Sequence, residues 1–481
     1  MGQQFEKDHF SEQDFLEFSQ RLHKQIYQLR DKIETKGFSS GPASFGAELE
    51  LYLLDEEFNP KCTNQNILKT ANNPLLTEEL NQYNLEINLS PVESAPDALS
   101  QMQTQLLQEL DKLENHAQEH QTQFMPIGIL PTLEERHLHI NHMTDLPRYR
   151  ALTHQLSTGK SEPFHVDING FESLRMSCAE VTLEGANTSF QVHYKVPADD
   201  FPNLFNAAQL VTPLVLAIGA NSPLFMGKKL WQETRIALFK QSIDNRTKEL
   251  TEWRQPARVS FGQGWIRHSA WELFAENVAL YPPVLPVIDK QNSPFKELLM
   301  HHGTVWSWNR AVYDDHGDGH LRIEFRALPA GPTVVDMIAN AALMIGLTKA
   351  LANNINDYLV KLPFQHAEYN FYRAAKHGLD AKILWPSLKQ SQLKDFTVGE
   401  ILMHLLPHAV EGLISLGISP SDANYYIDII EQRLAKRQTG ASWQLAQLEK
   451  LEQKYDRKAA IQQMLSRYLY NMKANIPVSK W

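Results

Sequence analysis

Cysteine is nearly absent: Cys62 and Cys178 are all that this 481-residue chain contains. They stand far apart, so neither a disulfide framework nor a CxxC metal site is written here, which fits a reducing compartment. An excess of positive charge is also missing. Lys plus Arg total 46 against 56 for Asp plus Glu, a formal charge of −10. That balance argues against nucleic acid as the main partner, while a local Arg cluster could still hold an anionic substrate. The longest apolar run, around residues 210–219, is interrupted by Thr212 and Pro213. It falls short of the ~20 residues of a membrane span, so no membrane partner is expected. The opening MGQQFE has no apolar core of a secretory signal, and Glu6 stands where N-myristoylation wants Ser or Thr. A cytoplasmic location is expected. No GxxxxGK[ST] loop occurs, which excludes the P-loop way of cradling phosphates. Nothing in these patterns specifies an oligomeric state.

What is present is ample for a large core: 43% of residues are hydrophobic, and the length suggests roughly two to four domains' worth of chain. Residues 11–36 carry Phe15, Phe18, Leu22, Ile26 and Leu29 at helical spacing, and Gly37 with the SSGP of 39–42 ends that helix. Strand patterns follow at 45–54 and 83–89, then a long polar helix at 97–123. Strand-like runs at 164–169, 176–183 and 189–196 precede apolar helices near 203–219 and 334–357, with another strand at 321–327. From about residue 360 the strand patterns stop, and helices are predicted at 395–417, 421–438 and 443–472. Strands mixed with segregated helices, not in strict βαβ order, predict an α+β fold.

Four of the strands put chemistry on one face. A strand alternates its side chains with period two. At 45–53, Phe45, Ala47, Leu49, Leu51 and Leu53 share one face, while Glu48 and Glu50 share the other, ~7 Å apart by the rise per residue. The same parity groups Asn84, Glu86 and Asn88, then Ser189, Gln191, His193 and Lys195, then Arg322, Glu324 and Arg326. A wet sheet face reads this way without any function. Ordinary wet faces, however, are rich in Thr, Ser and Lys rather than Glu pairs, a His and an Arg-Glu-Arg alternation. Carboxylates two apart repel unless a cation lies between them. Oxygen ligands with an imidazole suit Mg²⁺ or Mn²⁺, and flanking Arg side chains suit phosphate or carboxylate. Spacing alone leaves open whether the four strands are neighbours.

The same segments resemble the glutamate–cysteine ligase type-2 family. The resemblance runs through FGAELELYLLD (45–55), EINLSP (86–91), NTSFQVH (187–193), ANSP (220–223), ETRIALF (233–239), GTVWSWNR (303–310), LRIEFRALPAGPT (321–333) and RAAKHGLD (373–380). It implies a glutamine-synthetase-like fold: a curved antiparallel sheet with helices on its convex side and a helical C-terminal part. It also implies an ATP- and Mg²⁺- (or Mn²⁺-) dependent carboxylate–amine ligase acting on small molecules, which activates a carboxylate as an acyl phosphate. By motif, Glu48, Glu50, Glu86, His193 and Glu324 resemble metal ligands, and His193 resembles the family's imidazole ligand near the ATP γ-phosphate, which makes it a catalytic candidate as well. Arg326 resembles the catalytic cation on the transferring phosphoryl group, and Arg235 the grip on the amino-acid substrate. Arg322, Lys195 and Gln191 are candidates for the nucleotide. The expected organisation is an N-terminal helical segment at 1–40, a catalytic region at 41–385 and a helical region at 386–481 packed on it. A guanidino-type phosphotransferase on a related fold, or a non-catalytic nucleotide-binding protein, would share many of these residues.

Other groupings read as structural. His137, His139 and His142 form HxHxxH in a polar loop. The DDHGDG of 314–319 starts like an EF-hand loop but has Phe325 where Glu is required, so a turn is expected. His301 and His302 are read as packing, and Asn221-Ser222-Pro223 as a helix stop. Asn370 and Arg373 could line the site or pin the C-terminal helices. Cys62 and Cys178 are read as inert.

Overall fold

The computed structural model describes residues 7–158, 162–246, 255–291, 293–386 and 392–481. The first helix, α1 (Glu12–Ile33), begins at a capping box. The Ser11 Oγ accepts from the Asp14 amide, and the Asp14 carboxylate accepts from the Ser11 amide. Its stripe of Phe18, Leu22, Ile26, Leu29 and Ile33 is buried against helices Trp271–Leu280 and Lys296–His302.

An eight-stranded antiparallel sheet positions the site. Its strands are β1 (Ser44–Leu54), β2 (Leu76–Glu78), β3 (Asn84–Asn88), β4 (Val92–Glu93), β5 (Gln123–Met125), β6 (Phe190–Val196), β7 (Asn309–Asp314) and β8 (His320–Phe325). The order is β7-β8-β6-β1-β3-β2, with β4 and β5 pairing with the two ends of β1. The sheet is open, with β7 and β2 at its edges. Its apolar face carries Phe45, Ala47, Leu49, Leu51 and Leu53, with Leu85, Ile87, Phe190, Val192, Leu321 and Ile323, all buried. Helices Ala98–Glu119, Phe201–Gly219 and Val334–Ala352 pack on this layer. The last two are long and apolar enough to cross a membrane, and 89% of each apolar window is buried within the protein. The first of them continues through Pro213, where the sequence reading saw an interruption.

Several elements differ from the sequence reading, three of them as follows. The strand expected at 176–183 ends at Cys178, and Val181–Ala186 is a 3₁₀ helix. Val181, Thr182, Leu183 and Ala186 are all buried there, so the alternation a half-buried strand requires is absent. The helix expected at 443–472 is two, Gly440–Leu451 and Arg457–Lys473, because Asp456 caps the second by accepting from the Ala459 amide. A hairpin of Lys382–Pro386 and Leu393–Thr397 lies where only helices were expected. Asn370 exchanges two hydrogen bonds with the Leu384 backbone, and Arg373 Nε donates to the Lys382 carbonyl. These two side chains therefore pin the hairpin.

Candidate active site

The register brings the polar faces of the four strands together. Glu50 stands opposite Glu86 across β1 and β3, and Glu48 opposite Gln191 across β1 and β6. His193 stands opposite Glu324, and Lys195 opposite Arg322, across β6 and β8. Glu48, Glu86, His193 and Glu324 are each less than a tenth exposed. The face forms the floor of a cavity of about 570 Å³ that is lined by Glu48, Glu50, Glu86, Gln191, Arg322 and Arg326 among others.

The carboxylates fall into two groups. Ligand atoms of Glu48, His193 and Glu324 lie within 4.8 Å of one another, and so do those of Glu50, Glu79 and Glu86. In the first group, His193 Nε2 is 2.9 Å from Glu48 Oε1 and 3.8 Å from Glu324 Oε1. The close approach lacks hydrogen-bond geometry, and Glu48 Oε2 with both His193 ring nitrogens has no hydrogen-bond partner among the described residues. Buried donors and acceptors aimed at one point and left unpaired are what a cation would satisfy. The second group shows the same need electrostatically. Burial, with Glu48 and Glu50 beside it, pushes the Glu86 carboxyl up to about 7. Burial, then Glu86, Glu50 and Glu184, pushes Glu79 well above the carboxylate range. Three such groups cannot all ionise in so small a space without a cation.

Arginines complete the floor. Arg310 Nε and Nη2 grip the Glu324 carboxylate at 2.6 and 2.9 Å. Arg326 Nη1 lies 3.2 Å from the same carboxylate and donates to Gln191 Oε1 at 2.7 Å. Burial pushes Glu324 up, but Arg310, Arg326 and His193 outweigh it and hold the carboxyl well below its ordinary range. Glu50 is fixed by the Ser189 amide at 2.7 Å and Gln191 Nε2 at 2.8 Å. The cavity therefore has two ends. At β7 and β8, Arg310 and Arg322 sit near Trp306, Met300 and Tyr313; at β2 and β3, Glu79 and Glu86 sit near Arg148, Tyr149 and Glu184. Three strand spacings separate β8 from β3, roughly 14 Å.

The sequence matches the description glutamate–cysteine ligase family 2 over residues 44–409. The chain belongs to that family. No curated protein matches it in a direct sequence comparison. Among solved structures it is similar to a glutamate–cysteine ligase from Francisella tularensis in complex with AMP, with a TM-score of 0.56 and 12% identity over 91% of this chain and 90% of that one. It is also similar to a bifunctional glutathione synthetase from Pasteurella multocida, with a TM-score of 0.52 and 12% identity over 95% of this chain and 54% of that one. At these identities the likeness is one of fold: helices mixed with an open antiparallel sheet.

Four of the residues singled out in the sequence are absent from the cavity lining: Arg235, Lys195, His193 and Glu324, the last two 6% and 0% exposed. Arg235 is 3% exposed, and its Nη1 donates to Glu233 Oε1 at 3.3 Å and to the Ala327 carbonyl at 3.1 Å. Lys195 shares the polar parity of His193 but lies outside the cavity lining. Arg322 lines it, paired with Asp314 at 3.1 Å. Among the lining residues that went unassigned in the sequence are Arg310, Glu79, Arg148 and Glu184. Arg310 stood inside a family-like segment but belongs to β7, which showed no strand pattern of its own. Glu79 lies two residues beyond Thr77 of β2, and that alternation was the available signal, masked by the neighbouring Glu78. Arg148 and Glu184 come from a helix and a 3₁₀ turn, where strand parity says nothing.

The remaining groupings are structural. His302 Nδ1 pairs with Asn277 at 2.7 Å, and its Nε2 with the Ala311 carbonyl at 2.7 Å. The 314–319 segment is the turn from β7 to β8, with Gly317 and Gly319 at positive φ. His137 Nδ1 accepts the Glu134 amide. Burial raises both thiols, Cys62 to about 11, so neither is an activated nucleophile.

Proposed function

We propose that this protein is an ATP-dependent carboxylate–amine ligase that joins the γ-carboxylate of glutamate to an amine such as that of cysteine. The observation that carries the reading is the pair of carboxylate groups on one sheet face with Arg326 beside them. This is the layout that a transferring phosphoryl group needs, and it sits in a family of ligases. Glu48, His193 and Glu324 would hold one divalent cation, and Glu50, Glu79 and Glu86 another, with Mg²⁺ or Mn²⁺ suiting oxygen donors and an imidazole. Bound there, such ions neutralise phosphate oxygens and align them for in-line displacement.

The protein's own groups do the rest. ATP lies over β7 and β8, with Arg322 and Gln191 toward its phosphates and Trp306, Met300 and Tyr313 beside the base. A carboxylate oxygen of the acid attacks the γ-phosphorus, the bond to ADP breaks, and Arg326 meets the charge on the moving group with its planar fork. The amine nitrogen then attacks the acyl carbon of the acyl phosphate, inorganic phosphate leaves, and the amide remains. A panel of acids and amines incubated with ATP and Mg²⁺ tests the reading. Phosphate release that requires both an acid and an amine, with an amide product found by mass, is expected. A phosphorylated acceptor without free phosphate would instead mark a kinase.

A further inference from the structure

We infer that Arg148 and Glu184 select and position the acid substrate: Arg148 takes a second carboxylate, and Glu184 takes its ammonium group. The inference rests on the ligase reading above and adds to it the residues that recognise the acid. Both side chains line the cavity, near Glu79.

Arg148 is the second residue of helix Pro147–Ser157. Among the described arginines that line the cavity, it alone makes no hydrogen bond or ion pair: Arg310 and Arg326 are bound to Glu324, and Arg322 to Asp314. Its guanidinium lies 5.0 Å from the centre of the Tyr149 ring, which orients the group while leaving its five donors open. Tyr149 is itself fixed, buried and donating to the Glu78 carbonyl at 3.3 Å.

Glu184 stands outside the Glu50–Glu79–Glu86 group, and its carboxylate has no hydrogen bond or ion pair among the described residues. The turn that carries it is nevertheless held rigidly. The Asn81 side chain donates to the Thr182 carbonyl, and the Tyr52 hydroxyl to the Ala186 carbonyl. Gly185 fits because a Cβ there would come within 2.4 Å of Asn81. A rigid frame that presents an unpaired carboxylate to a cavity costs stability, and a ligand explains why it is there.

The two groups feel each other's charge yet form no salt bridge, so a gap lies between opposite charges. A zwitterion with an ammonium at one end and a carboxylate at the other would bridge it. Glu184 also feels Arg326, so an acid anchored here reaches toward the phosphoryl centre with its remaining carboxylate. Arg235, bonded to Glu233 and the Ala327 carbonyl, is not among the residues that line the cavity.

The test compares Arg148→Met, Arg148→Lys and Glu184→Gln with wild type in the phosphate-release assay, using glutamate, glutarate (which lacks the ammonium), cysteine and ATP. Arg148→Met should raise the KM for glutamate about tenfold or more, as expected for loss of a charge-assisted contact, with the KM for ATP nearly unchanged. Arg148→Lys should recover part of the loss. Glu184→Gln should erode the preference for glutamate over glutarate by about tenfold or more, a ratio that a merely structural role would not move. Isothermal titration of glutamate should show the same losses without turnover. An unchanged KM for glutamate in Arg148→Met, or a rise confined to cysteine, overturns the assignment while the ligase reading stands. A wild-type chain that ligates no acid to any amine overturns both.

Discussion

Glu324 is fully buried and touched by three cationic or cation-binding groups, Arg310, Arg326 and His193. Its removal would take the bidentate carboxylate from Arg310 and the nearest counter-charge from Arg326. Glu324→Ala should therefore lower stability by about 3–5 kcal/mol, the usual cost of breaking a buried pair from one side. A denaturant titration measures this, and a loss under about 1 kcal/mol would mean that the pair behaves as a solvated one. On the proposed ligase reading, Arg326 serves the transferring phosphoryl group. Its links to Glu324 and Gln191 can be kept by any cation, whereas meeting three phosphoryl oxygens needs the planar fork. Arg326→Lys should retain the wild-type melting temperature while kcat falls by at least roughly a hundredfold. A lysine variant with most of its kcat would reduce Arg326 to a salt-bridge partner.

At the scale of the elements, the sheet was legible because its signal is local. Period-two alternation put Glu48, Glu50, Glu86, His193 and Glu324 on matching faces before any pairing was known, and the register then set them side by side. The split into two groups was not legible, because it depends on which strands are neighbours. Glu79, beside a three-residue strand, was too short a pattern to read, and Arg148 and Glu184 reach the cavity from elements off the sheet. The C-terminal hairpin was missed because its strands are only five residues each.

The grouping also fixes a pH dependence. Glu86 titrates near 7 in the folded chain, against 4.5 ordinarily. Between those values the folded state binds more protons than the unfolded one, so stability without a cation falls as pH rises through that window. Glu324, held below its ordinary range, acts only at lower pH. A bound divalent cation replaces the proton and removes the penalty. Melting temperatures in chelator should therefore drop from about pH 5 to about pH 8, and the gain on adding Mg²⁺ or Mn²⁺ should be larger at the higher pH. A gain that is absent or independent of pH would argue against cations on these carboxylates.

Across the whole molecule, the C-terminal helices are joined to the ligase core by buried polar links. Arg433 Nη2 lies 2.7 Å from Asp336 Oδ1, with the two side chains 1% and 0% exposed. Asn221, just after helix Phe201–Gly219, donates to the Ala330 carbonyl and the Tyr468 hydroxyl and accepts from Gln444. Gly440 fits against it, since a Cβ there would come within 2.1 Å of Asn221 Oδ1. Arg433→Ala should cost about 3–5 kcal/mol by stranding Asp336, and calorimetry should show one lowered transition rather than independent loss of the tail. The helical character of this region was readable from its sequence. Its bonding to Asn221 and Asp336 was not, because those partners lie 97 or more residues away. Isotope transfer tests the proposed chemistry over the sheet most directly. With glutamate labelled by ¹⁸O in its γ-carboxylate, the acyl-phosphate route carries one labelled oxygen into each phosphate released as the amide forms. Labelled phosphate in step with amide is the expected result; unlabelled phosphate, or a phosphorylated acceptor with none released, would contradict it.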